Sequence, residues 1–152
     1  MGAGKDEWPQ TYPLHLINEW PTDRLKHQPG VYRIRAFYEQ AQPRAVRRFN
    51  GDDPEGILHI GMSSNLFNRL RSFYRGAVEQ KFPAHFASSE FIKWKFDKSV
   101  PADQLRFDFI GTPNAQAAKD LETELHRAYR YKFLDRPPLD GTSGKRFKIG
   151  VR

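Results

Sequence analysis

Two side chains in the stretch GILHIGMSSNLFNRL, residues 56–70, have types and spacing that could do chemistry. His59 lies inside an apolar run typical of a strand, where an imidazole acts as a general base, orients one, or is a hydrogen-bonded structural side chain. Arg69 follows ten residues later, at the border of the apolar stripe predicted for the next helix. Its planar guanidinium either binds a phosphate across a cleft or pairs with a surface carboxylate.

A tyrosine and a glutamate stand at comparable positions in two other segments. Tyr32 lies in a β-rich run, where a half-buried tyrosine is also a common structural residue. Glu122 lies at the edge of a helical apolar face, because about 100° per residue places it between Ala118 and Tyr129. A carboxylate at that border is desolvated unless a cation, a hydrogen-bond donor or a metal compensates it. A salt-bridged helix carboxylate is the alternative interpretation.

Hydrophobic periodicity predicts the elements that must position these residues. The predicted elements are strands over 30–39, 57–62 and 104–111 and helices over 65–78 and 112–133. Residues 79–103 fit either a second helix or a strand. Ser63 or Ser64 is predicted to cap the first helix, and Thr112 or Asn114 the last. The order β-β-α-(α)-β-α predicts an α+β fold with a small antiparallel sheet.

Composition narrows the class of protein. The 152 residues favour one domain, and the absence of cysteine excludes disulfides, thiolate zinc sites and cysteine nucleophiles. No segment approaches the roughly 20 apolar residues of a membrane span. Because the first ten residues also have no apolar signal core, we expect a cytoplasmic protein. The net charge of +7 indicates either an anionic partner such as nucleic acid or a basic surface kept for solubility.

Four short motifs, in order, resemble those of the GIY-YIG nuclease superfamily. GVYRI, residues 30–34, resembles the first motif, with Val in place of Ile. LHIG, residues 58–61, resembles the second, with His59 where the family usually has a tyrosine. SSNLFNRLRSF, residues 63–73, resembles the segment with the family arginine, and LETELHRAY, residues 121–129, the helix with its glutamate. The similarity covers about residues 29–75 and 104–140, somewhat over half the chain.

The resemblance implies a three-stranded antiparallel sheet flanked by helices, and a metal-dependent endonuclease that hydrolyses phosphodiester bonds of DNA. Such an enzyme would be of restriction, repair or mobile-element type. Tyr32 would take a proton from the attacking water, and Arg69 would steady the phosphate. Glu122 would bind one divalent cation, Mg²⁺ or Mn²⁺, which lowers the pKa of water or stabilises the leaving oxygen. His59 could hydrogen-bond the water, orient Tyr32 or itself be the base.

The sequence departs from the family pattern at two positions. His59 replaces the second tyrosine, and the asparagine expected about a dozen residues after Glu122 is missing, because that count reaches Leu134. Asp140 is the nearest polar substitute, and it could hold the metal or order the loop. These departures keep open a nucleic-acid-binding module that does not cleave. A third interpretation is a basic protein-interaction domain that shares only the fold.

Basic residues outside the motifs are candidate phosphate contacts. They are Arg44, Arg47, Arg48, Arg71, Arg75, Lys145 and Arg146, with Lys148 and Arg152. The stretch SSEFIKWKF, residues 88–96, interleaves aromatics and lysines and could stack on unpaired bases, although a core strand is the favoured interpretation. We divide the chain into an N-terminal extension (1–28), a GIY-YIG-like nuclease domain (29–140) and a basic tail (141–152). The expected partner is DNA, with RNA and a homodimer left open and no membrane.

Overall fold

The computed structural model describes residues 8, 10–19, 22–82 and 85–140. In chain order the described strands are β1 (Tyr12–Pro13), β2 (Gly30–Ala36), β3 (Val46–Arg48), β4 (Gly51–Asp53), β5 (Ile57–Ser63) and β6 (Leu105–Gly111). The described α-helices are α1 (Leu66–Ala77), α2 (Phe86–Lys93) and α3 (Ala115–Phe133). Short 3₁₀ turns lie at Leu14–Leu16, Thr22–Arg24, Phe96–Lys98 and Ala102–Gln104. The basic tail, including Lys145 and Arg146, lies outside the described residues.

In the described residues, one antiparallel sheet has the strand order β1-β6-β2-β5, while β3 and β4 form a separate hairpin. The α+β class with an antiparallel sheet is therefore confirmed. The sheet has four strands where three were expected, because the two-residue strand β1 pairs with β6 and places Tyr12 opposite Phe107. The Tyr12 ring also packs on the ring of Phe107, with centroids 5.5 Å apart.

The helices pack on opposite faces of this sheet. Because side chains alternate along a strand, Tyr32 and Ile34 of β2 face the cluster that contains the buried face of α1, whereas Val31 faces the cluster with α3. The predicted face of α1 is confirmed, since its four apolar residues are buried: Leu66, Leu70, Phe73 and Ala77. None of the helices in the described part of the chain is long and apolar enough to cross a membrane.

Two of the expected local features are corrected. Asn65 caps α1, since its side chain accepts the backbone N–H of Asn68 at 3.3 Å. Ser63 instead accepts the N–H of Asn65 through its hydroxyl, at 2.9 Å, and so sets the turn before the helix. The stretch at 88–96 is mainly helical, with Phe91 buried and Trp94 62% exposed, so it is not a core strand. Asn114 caps α3, as one of the two predictions has it.

A buried charge cluster lies on the sheet face opposite Tyr32. Arg33 donates to both carboxylate oxygens of Asp108, at 2.9 and 2.6 Å, and Arg35 donates to the same carboxylate at 3.1 Å. Asp108 is 1% exposed, so its charge is stable there only because two guanidinium groups compensate it. The indole of Trp8 lies 3.9 Å from the Arg33 guanidinium carbon and covers it. This cluster ties β2 to β6 by side chains as well as by backbone pairing.

Candidate active site

Three aromatic polar side chains meet at one point beside α1. The hydroxyl of Tyr32 lies 3.0 Å from Nε2 of His59 and 2.7 Å from Nε2 of His85. Tyr32 and His59 lie on the neighbouring strands β2 and β5, and His85 is the N-cap residue of α2. All three are buried, and Tyr32 is only 1% exposed. The structure therefore brings together the first two sequence-predicted catalytic residues and adds a histidine that no motif points to.

The register of β2 and β5 explains the contact between Tyr32 and His59. Tyr32 is opposite Gly61, and His59 is two residues from Gly61 on the same face of the strand. A Cβ atom on Gly61 would lie 2.5 Å from the Tyr32 hydroxyl and 2.8 Å from Nε2 of His59. The glycine of the LHIG motif is therefore required for the space in which the phenol and the imidazole meet.

The segment after α3 returns to β5 and delivers Asp140. The N–H of Leu139 donates to the carbonyl of Leu58 at 2.8 Å, which aligns the segment with the strand. One carboxylate oxygen of Asp140 hydrogen-bonds Nδ1 of His59, and the other accepts the N–H of Ile60 at 3.1 Å. Asp140 thus orders the loop and orients His59. The expected ordering of the loop is therefore seen, whereas metal binding by Asp140 stays a prediction, since each oxygen already has one protein contact.

A second unpredicted histidine borders this group. His126 of α3 contacts the carbonyl of Ile60 through Nε2 at 3.0 Å, and its Nδ1 lies 3.6 Å from Asp140. Its side chain is partly exposed, at 26%. His126 therefore fastens α3 to β5 directly beside Asp140. Neither His85 nor His126 carries a spacing signal in the sequence, because each meets its partners through long-range contacts.

The electrostatics of the site couple residues from four elements. Burial raises the pKa of the Tyr32 hydroxyl, the positive charge of Arg69 lowers it, and the negative charges of Asp140 and Glu122 raise it. Burial likewise lowers the pKa of His85 to about 2, with further lowering by His59 and Arg69. Arg69 on α1 and Glu122 on α3 are thus near enough to act on Tyr32. With these shifts, the Tyr32 hydroxyl and the His85 imidazole are both neutral at physiological pH.

Arg69 and Glu122 are available for other partners. Arg69 is exposed, and Glu122 is partly buried. Within the described residues, neither side chain makes a hydrogen bond or an ion pair, so the alternative of a surface salt bridge is not seen for either. The described residues contain no group of three or more His, Asp or Glu side chains that could hold a metal ion. A cation at Glu122 would therefore take most of its ligands from phosphate and water.

Some of the candidate phosphate contacts are exposed. Arg71 and Arg75 lie on the outer face of α1 and line a shallow groove with Asn68 and Ser72. Arg47 lies in the hairpin and its side chain is 89% exposed. Exposed arginines of this kind bind phosphate without a large desolvation cost. They remain candidate nucleic-acid contacts, and those on α1 lie on the helix that also carries Arg69.

Two other candidates are held by protein contacts. Arg48 donates to the carbonyl of Arg136 at 2.6 Å and pairs with Asp135 at 3.2 Å, and its side chain is 17% exposed. Arg44 donates to the carbonyl of Ser99. The donors of Arg44 and Arg48 therefore stabilise loops, which leaves fewer of them for a phosphate than the sequence alone indicates.

Comparison of the chain with protein-family models, with curated proteins and with solved structures gives no match. A functional interpretation must therefore come from the motifs and from the geometry of the site around Tyr32.

Proposed function

We propose that the protein is a metal-dependent endonuclease that hydrolyses phosphodiester bonds of DNA with a GIY-YIG-like active site. One observation carries the proposal. His59, which replaces the family tyrosine, hydrogen-bonds Asp140, the nearest polar substitute for the missing asparagine, and also contacts Tyr32. Two unrelated losses would have no reason to meet. A site that works with different side chains requires those side chains to contact each other, as His59 and Asp140 do.

The arrangement of the elements also supports the proposal. The resembling motifs lie on β2, on β5, on α1 and on α3, in that order along the chain. The charges from α1 and α3 act on the tyrosine of β2. This is the order of elements that the GIY-YIG resemblance implies, with β1 as an additional edge strand. We therefore infer a GIY-YIG-like fold.

The chain's own residues divide the reaction between them. Tyr32 accepts the proton of the attacking water, helped by the imidazole of His59. Arg69, which is exposed on α1, binds the phosphate and stabilises the negative charge that develops on it in the transition state. Arg71 and Arg75 lie about 200° and 240° round α1 from Arg69. They form a separate positive surface that binds the backbone of the nucleic acid.

Glu122 fits the divalent cation that such a reaction uses. Its carboxylate is a hard oxygen ligand with no partner among the described residues, and Mg²⁺ keeps several waters and is often bound by one or two carboxylates plus phosphate oxygens. Bound Mg²⁺ or Mn²⁺ would supply Lewis-acid stabilisation of the phosphate charge. Glu122 lies one turn of α3 after Ala118, which belongs to the buried face of the helix.

One observation favours the alternative, a nucleic-acid-binding module that does not cleave. Tyr32 is 1% exposed, and both of its histidine partners are buried, at 9% for His59 and 8% for His85. A base must reach its water, so a closed site favours binding over hydrolysis unless the substrate opens it.

Cleavage of supercoiled plasmid in Mg²⁺ or Mn²⁺, with EDTA as the metal-free control, separates the two functions. The wild-type protein should nick or linearise the plasmid only with the metal present. Glu122→Gln should abolish this cleavage, because the amide cannot replace the carboxylate charge. Glu124→Gln is the matched control on the same helix and should retain cleavage, since it lies about 200° round the helix from Glu122.

Arginine variants test the phosphate-binding surface. Arg69→Ala should reduce cleavage more than DNA binding, because its charge acts where the reaction occurs. Arg71→Ala should weaken binding and lower the salt dependence of the logarithm of affinity by about one unit. Cleavage that survives Glu122→Gln would remove the metal assignment, and salt-dependent binding with no cleavage by the wild type would establish the alternative.

A further inference from the structure

The hydrogen bonds around Tyr32 form a chain in which each group donates a proton to the next, and the first donor is His85. Nδ1 of His85 accepts the backbone N–H of Ala87 at 3.0 Å, in the cap of α2. A nitrogen that accepts carries no proton, so the neutral ring has its proton on Nε2. The contact of 2.7 Å between that nitrogen and the Tyr32 oxygen is therefore an N–H donated by His85. The low pKa of His85, about 2, keeps this ring neutral.

The direction continues from Tyr32 to Asp140. Because the Tyr32 oxygen accepts from His85, its single O–H is free to donate to Nε2 of His59 at 3.0 Å. Nε2 of His59 is then unprotonated, so the proton of that ring is on Nδ1 and is donated to the Asp140 carboxylate. Every proton in the chain from His85 to Asp140 thus points the same way. The pattern is that of a serine–histidine–aspartate triad with tyrosine as the hydroxyl.

A phenolate base is disfavoured here. Burial raises the pKa of Tyr32, which makes loss of its proton to solvent harder than for a free tyrosine. An imidazole exchanges a proton near neutral pH, whereas a free phenol does so near pH 10. The side chain suited to hold the extra proton is therefore His59. A phenol oxygen has two lone pairs, and only one is used by His85, so the second can accept a proton from water.

We propose that Tyr32 is a proton relay between the attacking water and His59, which is the terminal base, and that His85 is a positioning residue for the Tyr32 oxygen. This inference rests on the nuclease proposed above. It differs from the role expected from the family resemblance, in which Tyr32 itself keeps the proton. It also gives the aspartate at position 140 a reason, since a carboxylate stabilises the imidazolium that forms and an amide would not.

The proposed step moves two protons while one P–O bond forms and another breaks. As the water oxygen forms its bond to phosphorus, one water proton moves to the free lone pair of Tyr32, and the hydroxyl proton of Tyr32 moves to Nε2 of His59. A neutral tyrosine and an imidazolium paired with Asp140 result. The leaving oxygen keeps the electron pair of the broken P–O bond and takes a proton from solvent. His59 later returns its extra proton to solvent.

Aromatic packing holds the relay in place. Phe73 of α1 stacks on His59, with ring centroids 6.3 Å apart and planes 20° from parallel. The same ring meets His85 at 5.6 Å with the planes at 60°. Phe73 is fully buried, so its ring packs against one side of both imidazoles. This packing supports the orientations that the hydrogen bonds need.

Imidazole ¹⁵N NMR of the full-length protein near pH 7.5 tests the direction of the chain without an assay of activity. We expect His59 in the Nδ1–H tautomer, which is the rarer form in solution, and His85 in the Nε2–H tautomer. Tyr32→Phe should shift the Nε2 resonances of both rings, whereas Tyr74→Phe, in a partly buried tyrosine of α1 outside the site, should leave them unchanged. A proton on Nε2 of His59 would overturn the relay, because Tyr32 could then not donate to it.

Kinetics of the nuclease test the division of roles. His59→Gln keeps a polar contact with Tyr32 but cannot hold a proton, and it should slow plasmid cleavage by roughly 10²–10⁴-fold. His85→Gln retains an N–H donor and should stay within about tenfold of the wild type, whereas His85→Leu should lose roughly 10²-fold or more. A folded His59→Gln protein that cleaves at the wild-type rate overturns the relay. If the wild type does not cleave, the proposed function fails and the tautomers alone decide the proton chain.

Discussion

Acidification should destabilise the protein through His85, a histidine that is buried and neutral in the fold. Its pKa is lowered to about 2 by burial and by its neighbours His59 and Arg69. In the unfolded chain the same side chain titrates near its ordinary pKa of about 6.5. Between these two values the unfolded chain binds one more proton than the folded protein. The free energy of unfolding therefore rises with pH in this window, and the contribution is lost as pH falls below about 6.5.

The size of the effect follows from the distance in pH below the unfolded value. At pH 5, about 1.5 pH units below it, the loss relative to pH 8 is about 2 kcal/mol, since one unit is worth about 1.4 kcal/mol. This figure is a large part of the roughly 5–15 kcal/mol that stabilises an ordinary domain. The titratable and charged groups that face His85 are Tyr32, His59 and Arg69. Burial raises the pKa of Tyr32, so its hydroxyl keeps its proton between pH 5 and pH 8.

Urea unfolding of the wild type and of His85→Gln at pH 8 and pH 5 isolates the contribution. Glutamine offers a donor to Tyr32 and an acceptor to Ala87 but does not titrate. We expect the wild type to lose about 2 kcal/mol more than the variant between the two pH values, with equal dependence on urea concentration. His27→Asn is the matched control, because His27 is exposed and its φ of 59° suits asparagine. It should keep the wild-type pH slope.

Equal losses in the wild type and in His85→Gln would refute the reasoning, because a buried neutral histidine must bind its proton only on unfolding. A lower stability of the variant at pH 8 does not affect the test, since the measured quantity is the difference between two pH values for each protein. The comparison therefore reports on His85.

Three further substitutions test the packing described above. Gly61→Ala places a methyl group against Tyr32 and should cost about 1–3 kcal/mol in urea unfolding and at least about 100-fold in plasmid cleavage; wild-type values for both would show that the strands yield easily. Asp108→Asn removes the buried counter-charge that Arg33 and Arg35 share and leaves Arg33 only the half-exposed Glu55, at 3.5 Å. It should cost about 3–5 kcal/mol, against less than about 0.5 kcal/mol for the exposed Asp103→Asn. Asn114→Ala removes the cap of α3 and should lower the free energy of unfolding by about 1 kcal/mol, measured in the same way.

Much of the local structure could be predicted because its signals are periodic. The apolar residues of α1 recur at helical spacing, and strands β2, β5 and β6 lie within the predicted runs or extend one residue past them. The predicted helix over 112–133 also contains α3. The spacing of about 100° per residue correctly places Ala118 and Tyr129 in its buried face. Such patterns depend on which side of an element is buried, and this information is written locally in the sequence.

The fourth strand could not be predicted for a physical reason. β1 has two residues, Tyr12 and Pro13, which are too few to show alternation. Proline cannot donate a ladder hydrogen bond and normally argues against a strand, although it is tolerated at a sheet edge. What places β1 beside β6 is the packing of Tyr12 on Phe107 and Phe109, more than 90 residues away in the chain. Long-range packing of this kind leaves no local pattern.

The histidines of the site show the same limit more sharply. His85 has no motif, and it becomes meaningful only because α2 places it 2.7 Å from the Tyr32 hydroxyl. A signal was present in part, since the ambiguous segment 79–103 carries His85 and, three and four residues later, two serines of α2 whose hydroxyls donate to the His85 carbonyl. That pattern predicts a helix start rather than a catalytic role. The role of His85 depends on its contacts with Tyr32 of β2 and His59 of β5, which are remote in the sequence.

His59 and Asp140 lie 81 residues apart in the sequence. The tyrosine replaced by His59 and the missing asparagine, for which Asp140 is the nearest polar substitute, each weaken the resemblance to a nuclease when taken alone. The contact between His59 and Asp140 reverses this interpretation. A histidine that replaces a tyrosine needs a group to hold its tautomer and to stabilise its charged form, and a carboxylate does both, whereas an asparagine does only the first. The aspartate is therefore the residue that a histidine at position 59 requires. In the proposed enzyme the second departure is a consequence of the first, and the pair marks a site that moves its proton by a different route.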